Sequence, residues 1–249
     1  MDEHELQLGY DARFGELVIR TKGPDGDEHR WDVHISHLIR ACGITPAQLR
    51  AYMLVAHDPS LQPSGVVIDP LRKKVLNETD WKDKVVLDVG GYDGWAAGAA
   101  LMGGAKSAVC LDSLQYEHYG WAENRLPGVI YQTGDALEWE CPVDVVIAYN
   151  VLYHVKNPWQ FLSHMRAVCK GEMLLCTLFR YSDEPTWHLY MPRECNPSDE
   201  TVFWVPSILG LERLLKLTGW DFKREGLAMD RVIYRCTPAP GFVETHGAT

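Results

Sequence analysis

The chain has 249 residues, a length that suits one enlarged domain or a domain plus an extension. Its 46% hydrophobic content is enough for a core and excludes wholesale disorder, and no apolar run approaches the ~20 residues of a membrane span. The net charge of −10 opposes generic nucleic-acid binding, although a local basic patch on an acidic protein is compatible with it.

The N-terminus, MDEHELQLGYDAR, is acidic and polar and reads as neither a signal nor a transit peptide. Residues 14–20 alternate and are rich in β formers, Pro24-Asp25-Gly26 makes a turn, and residues 31–35 alternate again, so a β-hairpin is expected. Residues 35–42 and 46–57 predict two short helices, the second with Thr45 as N-cap and Pro46 at its first position. Residues 1–62 thus form an N-terminal extension, either a packing element or a lid over the substrate. A domain over 63–237 follows, opening with a connector whose Arg72, Lys73 and Lys74 read as a solvated helix face. The last segment, 238–249, is expected to be a flexible tail.

The stretch VVLDVGGYDG, residues 85–94, starts as a buried strand and ends in Gly90, Gly91 and Gly94. An alanine-rich helix is expected at 95–102. Strand, glycine turn and helix is how an α/β sheet builds a nucleotide site beyond its first strand. A second strand at 108–111 closes at Asp112, an acid placed to accept hydrogen bonds from both ribose hydroxyls of an adenosine-containing ligand. Either a dinucleotide or S-adenosylmethionine (SAM) fits that pattern. Tyr92 stands where G-x-G-x-x-G wants its second glycine, so a pyrophosphate would meet a side chain. Asp88 also repels pyrophosphate, and can orient the cationic amino-acid end of SAM. In the alternative, the glycines make only a tight turn and Asp88 caps the helix.

A helix near 116–124 comes next, then strands at 129–132 and 143–149, a helix at 159–169 and a strand at 172–178. This βαβ rhythm implies a parallel sheet with helices on both faces. An amphipathic helix at 207–218 and an antiparallel pair, 220–222 and 232–236, close the domain. Asp135, after Gly134, is placed to accept from an adenine amino group or to cap a turn. Beyond the strand ending at Tyr149, the segment 150–158 sets Asn150, Tyr153 and His154 over the cleft, because open parallel sheets bind ligands at their carboxyl edge. The seven cysteines show no C-x-x-C, and Cys110, Cys169 and Cys176 lie in apolar patterns as buried thiols, so a cytoplasmic location is expected. The ten histidines show no metal-ligand spacing.

The motifs LDVGGYDGW, LDS, GDALEW, YNVLYHVKNP and TVFWVPS together resemble class I SAM-dependent methyltransferases. More closely, they resemble the branch with the tRNA wobble-uridine (5-carboxymethoxy/5-methoxyuridine) carboxymethyl- and methyltransferases, over residues 66–236. The resemblance implies a Rossmann-like, seven-stranded α/β sheet with helices on both faces and one antiparallel strand at the end. It places Asp88, Gly90, Gly91, Tyr92 and Gly94 at the cofactor's amino-acid end. Asp112 and Ser113 fall at the ribose, Asp135 and Ala136 at the adenine, and Asn150 beside the cofactor. Tyr153 matches a tyrosine that contacts the transferred group, and Arg231 an arginine that holds the carboxylate of carboxy-SAM. The family's cofactor-selecting lysine lies in a W-K-W setting, whereas this chain reads DPLRKKVLNETDW. Ordinary SAM is therefore the expected cofactor and carboxy-SAM the alternative.

Methyl transfer from a sulfonium is an in-line displacement, so alignment dominates and a hydroxyl acceptor needs a base. His154 is the candidate base, Tyr153 a positioner, and Phe203 with Trp204 either an aromatic wall against a planar substrate or ordinary packing. The expected function is methyl transfer to a hydroxyl or amine of a small-molecule or nucleoside-like acceptor. The alternatives are a tRNA-modifying enzyme with a basic patch drawn from Arg72, Lys73, Lys74, Arg180, Arg193 and Arg231, and a non-catalytic SAM-binding protein. An NAD-dependent oxidoreductase is disfavoured by Tyr92.

Overall fold

The computed structural model describes residues 5–11, 16–22, 28–34, 70–114, 128–195 and 199–242. The helices expected at 35–42, 46–57 and near 116–124 lie outside the described residues. The chain divides into two compact units, one of residues 1–65 with 124–127, the other of residues 66–123 with 128–249.

In the first unit, β1 (Glu5–Asp11), β2 (Glu16–Lys22) and β3 (Glu28–His34) form an antiparallel meander in chain order. The β2–β3 pair is the expected hairpin, with Ile19 opposite Trp31. Strand β1 was not expected. Its Leu6, Leu8 and Tyr10 do alternate, but acidic flanks and Gly9 dilute the period-two signal.

The second unit is built on seven strands. Five of them are β4 (Val85–Val89), β5 (Ser107–Asp112), β6 (Val129–Thr133), β7 (Val143–Tyr149) and β8 (Cys169–Leu178), and they pair with one another in parallel. A short hairpin of β9 (Trp187–Leu189) and β10 (Trp204–Pro206) follows, then β11 (Trp220–Ala228) and β12 (Arg231–Pro238). The order across the sheet is β11-β12-β8-β7-β4-β5-β6. Strand β12 runs antiparallel to both β8 and β11, so the reversed strand is last in the chain and second from the edge. Because β12 is reversed, its first residue, Arg231, pairs with Leu178 at the carboxyl end of β8. That inversion carries a residue from late in the chain to the carboxyl edge, where open parallel sheets generally bind ligands.

Helices cover both faces of this sheet. On one, Phe161, Leu162 and Met165 of α3 (Pro158–Val168) and Leu211, Leu214 and Leu215 of α4 (Ile208–Leu217) pack against alternate residues of the strands, among them Leu87, Val146, Met173 and Tyr234. On the other, α2 (Trp95–Met102) contacts β4 and β5, and α1 (Pro70–Asn77) contacts α2 and β11. Arg235 of β12 pairs there with Glu172 and Glu225 and reaches Thr79, just past α1. Helix α4 starts where Ser207 Oγ accepts from Gly210 N at 3.0 Å, and α3 where Asn157 Oδ1 accepts from Gln160 N at 3.1 Å.

Strand β11 is longer than the expected 220–222, because its exposed Lys223 and Arg224 and an irregularity between Arg224 and Gly226 break the alternation. Pro238, expected to open a flexible tail, still belongs to β12, and Ala239 N donates to Gly219 O at 2.9 Å. Among the described residues no helix is long and apolar enough to cross a membrane.

Candidate functional site

The turn between β4 and α2 needs its glycines for two reasons. Gly90 and Gly94 have φ of +64° and +73°, in the left-handed region. Gly91 lies so close to its neighbours that a Cβ would stand 2.7 Å from Cys110 Sγ and 2.8 Å from Asp88 Oδ2. Tyr92 is also left-handed, at φ +51°. Such a residue is strained by about 1–2 kcal/mol, offset in part by the bond from its N–H to Asp112 Oδ2 at 3.2 Å. Asp93 Oδ1 accepts from Trp95 N at 3.1 Å as α2 begins.

Asp88 is only 2% exposed and sits beneath this turn. Its Oδ2 accepts from Ala97 N at 3.0 Å. Burial pushes its pKa up to about 8; the Ala97 N–H opposes this, and Asp93 and Asp112 add repulsion. The carboxyl thus acts from behind, holding Gly91 and α2 in place, and this geometry agrees with the capping alternative raised by the sequence. Asp112, at the end of β5, is 7% exposed, less open than a strand end beside solvent would be. Its two oxygens take the N–H groups of Tyr92 and Leu114, each at 3.2 Å. The Ser113 N–H acts on the same carboxylate, so of its about four acceptor sites roughly one stays open to a ligand hydroxyl. Ser113 beside it is exposed. Asp135 is exposed and caps the short turn Ala136–Glu138 through Leu137 N at 2.9 Å, while Ala136 packs against the core.

At the end of β7, Asn150 takes φ +60° and donates its N–H to Cys176 O at 2.8 Å. Its Oδ1 accepts from Arg231 Nε at 3.0 Å across 81 positions of sequence. The Arg231 guanidinium lies 5.3 Å from the centre of the Tyr153 ring, and its Nη1 stands 2.6 Å from Asp230 Oδ1, poorly angled for a hydrogen bond. Asn150, Tyr153 and Arg231 therefore meet at the carboxyl edge of the sheet. Tyr153 is 6% exposed and packs with Leu178, Val202 and Val205, so most of its ring is a core element. Its phenol is pushed up in pKa by burial, with Arg231 pulling the other way. His154 is half-buried, and burial pushes its imidazole below the ordinary range. Asp112 interacts electrostatically with both Asp88 and His154, which puts the glycine turn and the β7 segment in one neighbourhood.

Phe203 and Trp204 brace that segment. Phe203 N donates to Tyr153 O at 2.9 Å, and Trp204 Nε1 donates to Lys156 O at 3.0 Å. With its indole nitrogen so engaged, Trp204 fits packing better than a free wall. Sequence reasoning did not single out Asp199, Thr201 or Tyr131. Thr201 Oγ1 lies 2.8 Å from His154 Nδ1, and Tyr131 Oη donates to Asp93 O at 3.0 Å beside Gly94. Neither residue carries a local signal, since each acts through a partner on a distant stretch of chain.

A methyltransferase-domain family model matches residues 66–223. A tRNA U34 carboxymethyltransferase of Helicobacter pylori is 30% identical over 158 residues, 59% of this chain and 60% of that protein. One of Dichelobacter nodosus is 34% identical over 144 residues, 53% of this chain and 44% of that protein. The matched region thus spans about 60% or less of these relatives' length. A solved 1,6-didemethyltoxoflavin-N1-methyltransferase of Burkholderia thailandensis, with bound 1,6-didemethyltoxoflavin and S-adenosylhomocysteine, superposes with a TM-score of 0.56 at 14% identity, covering 94% of this chain and 99% of that one. The pyocyanin biosynthetic protein PhzM superposes at 0.55 with 16% identity, covering 82% and 68%. These structural likenesses show the fold, and a fold alone does not fix an activity. The family match takes in the glycine turn, Asp112, Asp135 and the β7 segment and covers well over half of the sequence, and so the chain belongs to the methyltransferase-domain family.

Proposed function

We propose that this chain is an SAM-dependent methyltransferase acting on a hydroxyl or amine of a small or nucleoside-like acceptor. The observation that carries the reading is the acidic crowd at the glycine turn, where Asp93 and Asp112 both press on the buried Asp88. Asp93 and Asp112, with an Asp88 whose ionisation a nearby cation would promote, favour a cationic ligand end and oppose a pyrophosphate. The residues therefore fit SAM: the turn Gly90–Gly94 and Asp88 at its amino-acid end, Asp112 and Ser113 at its ribose, Asp135 and Ala136 at its adenine, Asn150 alongside. When bound, SAM supplies an electrophilic methyl whose sulfonium leaves as a neutral thioether. The chain's own residues then have two tasks. Asn150, Tyr153 and Arg231 form a bonded frame that holds the β7 segment still, which serves alignment. His154 takes the proton of a hydroxyl acceptor as the oxygen–carbon bond forms.

Calorimetric titration with SAM, and mass spectrometry of the nucleoside that copurifies, test this reading. Recovery of NAD in place of SAM or its demethylated product would sink it. Tight SAM binding without turnover across hydroxyl and amine acceptors would favour the non-catalytic alternative. Asp112→Ala is expected to weaken SAM binding by about 1–3 kcal/mol, the range for hydrogen bonds to a charged group. Part of that loss arises through Tyr92 N and Leu114 N, which lose their acceptor. Unchanged affinity in the titration would remove Asp112 from the site.

A second reading, carboxymethyl transfer to a tRNA wobble uridine, is favoured by the names of the curated relatives and by Arg231 at the cleft edge. Its cationic requirement is met unevenly. Arg193 pairs with Glu200, Arg180 Nη1 bonds Tyr190 Oη at 2.5 Å, and Lys73 and Lys74 are exposed on α1. Arg231 already faces Asp230 and Asn150, so a carboxylate on the cofactor must compete with Asp230. Wild type is therefore expected to bind SAM and carboxy-SAM alike, and Arg231→Ala to leave SAM affinity intact. A preference for carboxy-SAM above tenfold, about 1.4 kcal/mol, would decide for the second reading.

A further inference from the structure

Among the described residues, the polar contacts of the His154 ring are all made through Nδ1. Its Nδ1 lies 2.8 Å from Thr201 Oγ1 and 3.1 Å from Thr201 O. Thr201 Oγ1 is in turn 2.5 Å from Asp199 Oδ1, which also accepts from Thr201 N at 2.8 Å. The direction of every bond in this line follows from what each group can do. An ionised carboxylate only accepts, so the threonine hydroxyl donates its single proton to Asp199. Its lone pairs then face the imidazole and need a donor. The backbone carbonyl of Thr201 likewise only accepts. Both contacts therefore require a proton on Nδ1.

We propose that Thr201 and Asp199 are positioning residues for His154, fixing it as the Nδ1–H tautomer so that Nε2 carries the lone pair that faces the acceptor. This rests on the reading of His154 as the base. When Nε2 takes the acceptor's proton, the imidazolium charge is shared through the Thr201 hydroxyl with Asp199. Among the described residues, the other charged or titratable groups around the ring are Tyr153 on its own segment, Arg231 of β12, which opposes the charge, and Asp112 of β5, which favours it. Asp199 is suited to its part: burial raises its pKa, but the Thr201 bonds outweigh that and hold it below the ordinary carboxylate value. The arrangement resembles the orienting of a catalytic imidazole by a buried acid, with a hydroxyl interposed.

The test reads the ring, not the reaction. Long-range proton–nitrogen NMR of ¹⁵N-labelled protein, with His154→Asn for assignment, reports tautomer and titration midpoint without any acceptor. Wild type should show the Nδ1–H tautomer. Thr201→Val keeps the shape of an exposed side chain but breaks the line, and should lower the His154 midpoint by about one unit, the scale of a lost favourable charge. Asp199→Asn should lower it likewise, and Thr201→Ser should keep the wild-type value. An Nε2–H tautomer in wild type, or a midpoint unmoved in both Thr201→Val and Asp199→Asn, would overturn the proposal. If the ring behaves as expected while His154→Ala keeps full turnover, it is the assignment of His154 as base that fails, not the line that holds it.

Discussion

His154→Ala is expected to lower turnover of a hydroxyl acceptor by about 10²–10⁴-fold, the contribution of a general base, while leaving SAM affinity nearly unchanged. The two effects separate because, Asn150 apart, the groups proposed to hold the cofactor are on the glycine turn and at the ends of β5 and β6, and His154 is not among them. Burial keeps His154 below the ordinary histidine value near 6.5, so its base form predominates at neutral pH. The acid limb of the wild-type rate profile should therefore fall below that value, and the variant should lose the limb altogether. An amine acceptor already neutral at working pH would show a smaller loss, so the size of the effect also separates the two acceptor classes. Turnover equal to wild type on a hydroxyl acceptor would remove His154 from the chemistry.

The fold and much of the site were legible because their signals are local. Four apolar residues in Val85–Val89 followed by three glycines announce a strand and a close turn, and the structure places both there. Ser207, Leu211, Leu214 and Gly219 mark the start, face and end of α4 within a dozen residues. Asp88 is where the same logic ran short. The sequence shows an acid two positions before a glycine, but the side on which its carboxyl is buried depends on the pleat and on how α2 closes over Gly91. Tyr153 follows a strand end, and that position alone points to the cleft. Its burial is decided by Val202 and Val205, some fifty residues away. The line from His154 to Asp199 spans a similar gap and joins residue types that serve as caps and turns everywhere, so no spacing rule distinguishes it.

The buried Asp88 gives the second large effect, in the dependence of stability on pH. Its folded-state pKa of about 8 lies above the value near 3.9 of an unfolded aspartate. The fold therefore favours the protonated form. The stabilising contribution is complete below pH ~4 and is lost as pH rises through about 8, since ionisation must then occur in a buried site or drive unfolding. Each unit inside that window removes up to about 1.4 kcal/mol from the wild type. Asp88→Asn cannot ionise, and its amide oxygen can still accept from Ala97 N. The stability of the variant relative to wild type should therefore rise steadily between pH 5 and 8, as read by denaturant titration at each pH. A difference that stays constant across that range would mean that Asp88 ionises at an ordinary value. The same experiment with SAM present probes the proposed site directly. A cation above the turn favours the carboxylate, so the wild-type slope should flatten and SAM affinity should climb with pH. A slope that SAM leaves untouched would place the cofactor's cationic end away from Asp88, and the acidic crowd at the glycine turn would no longer support the proposed function.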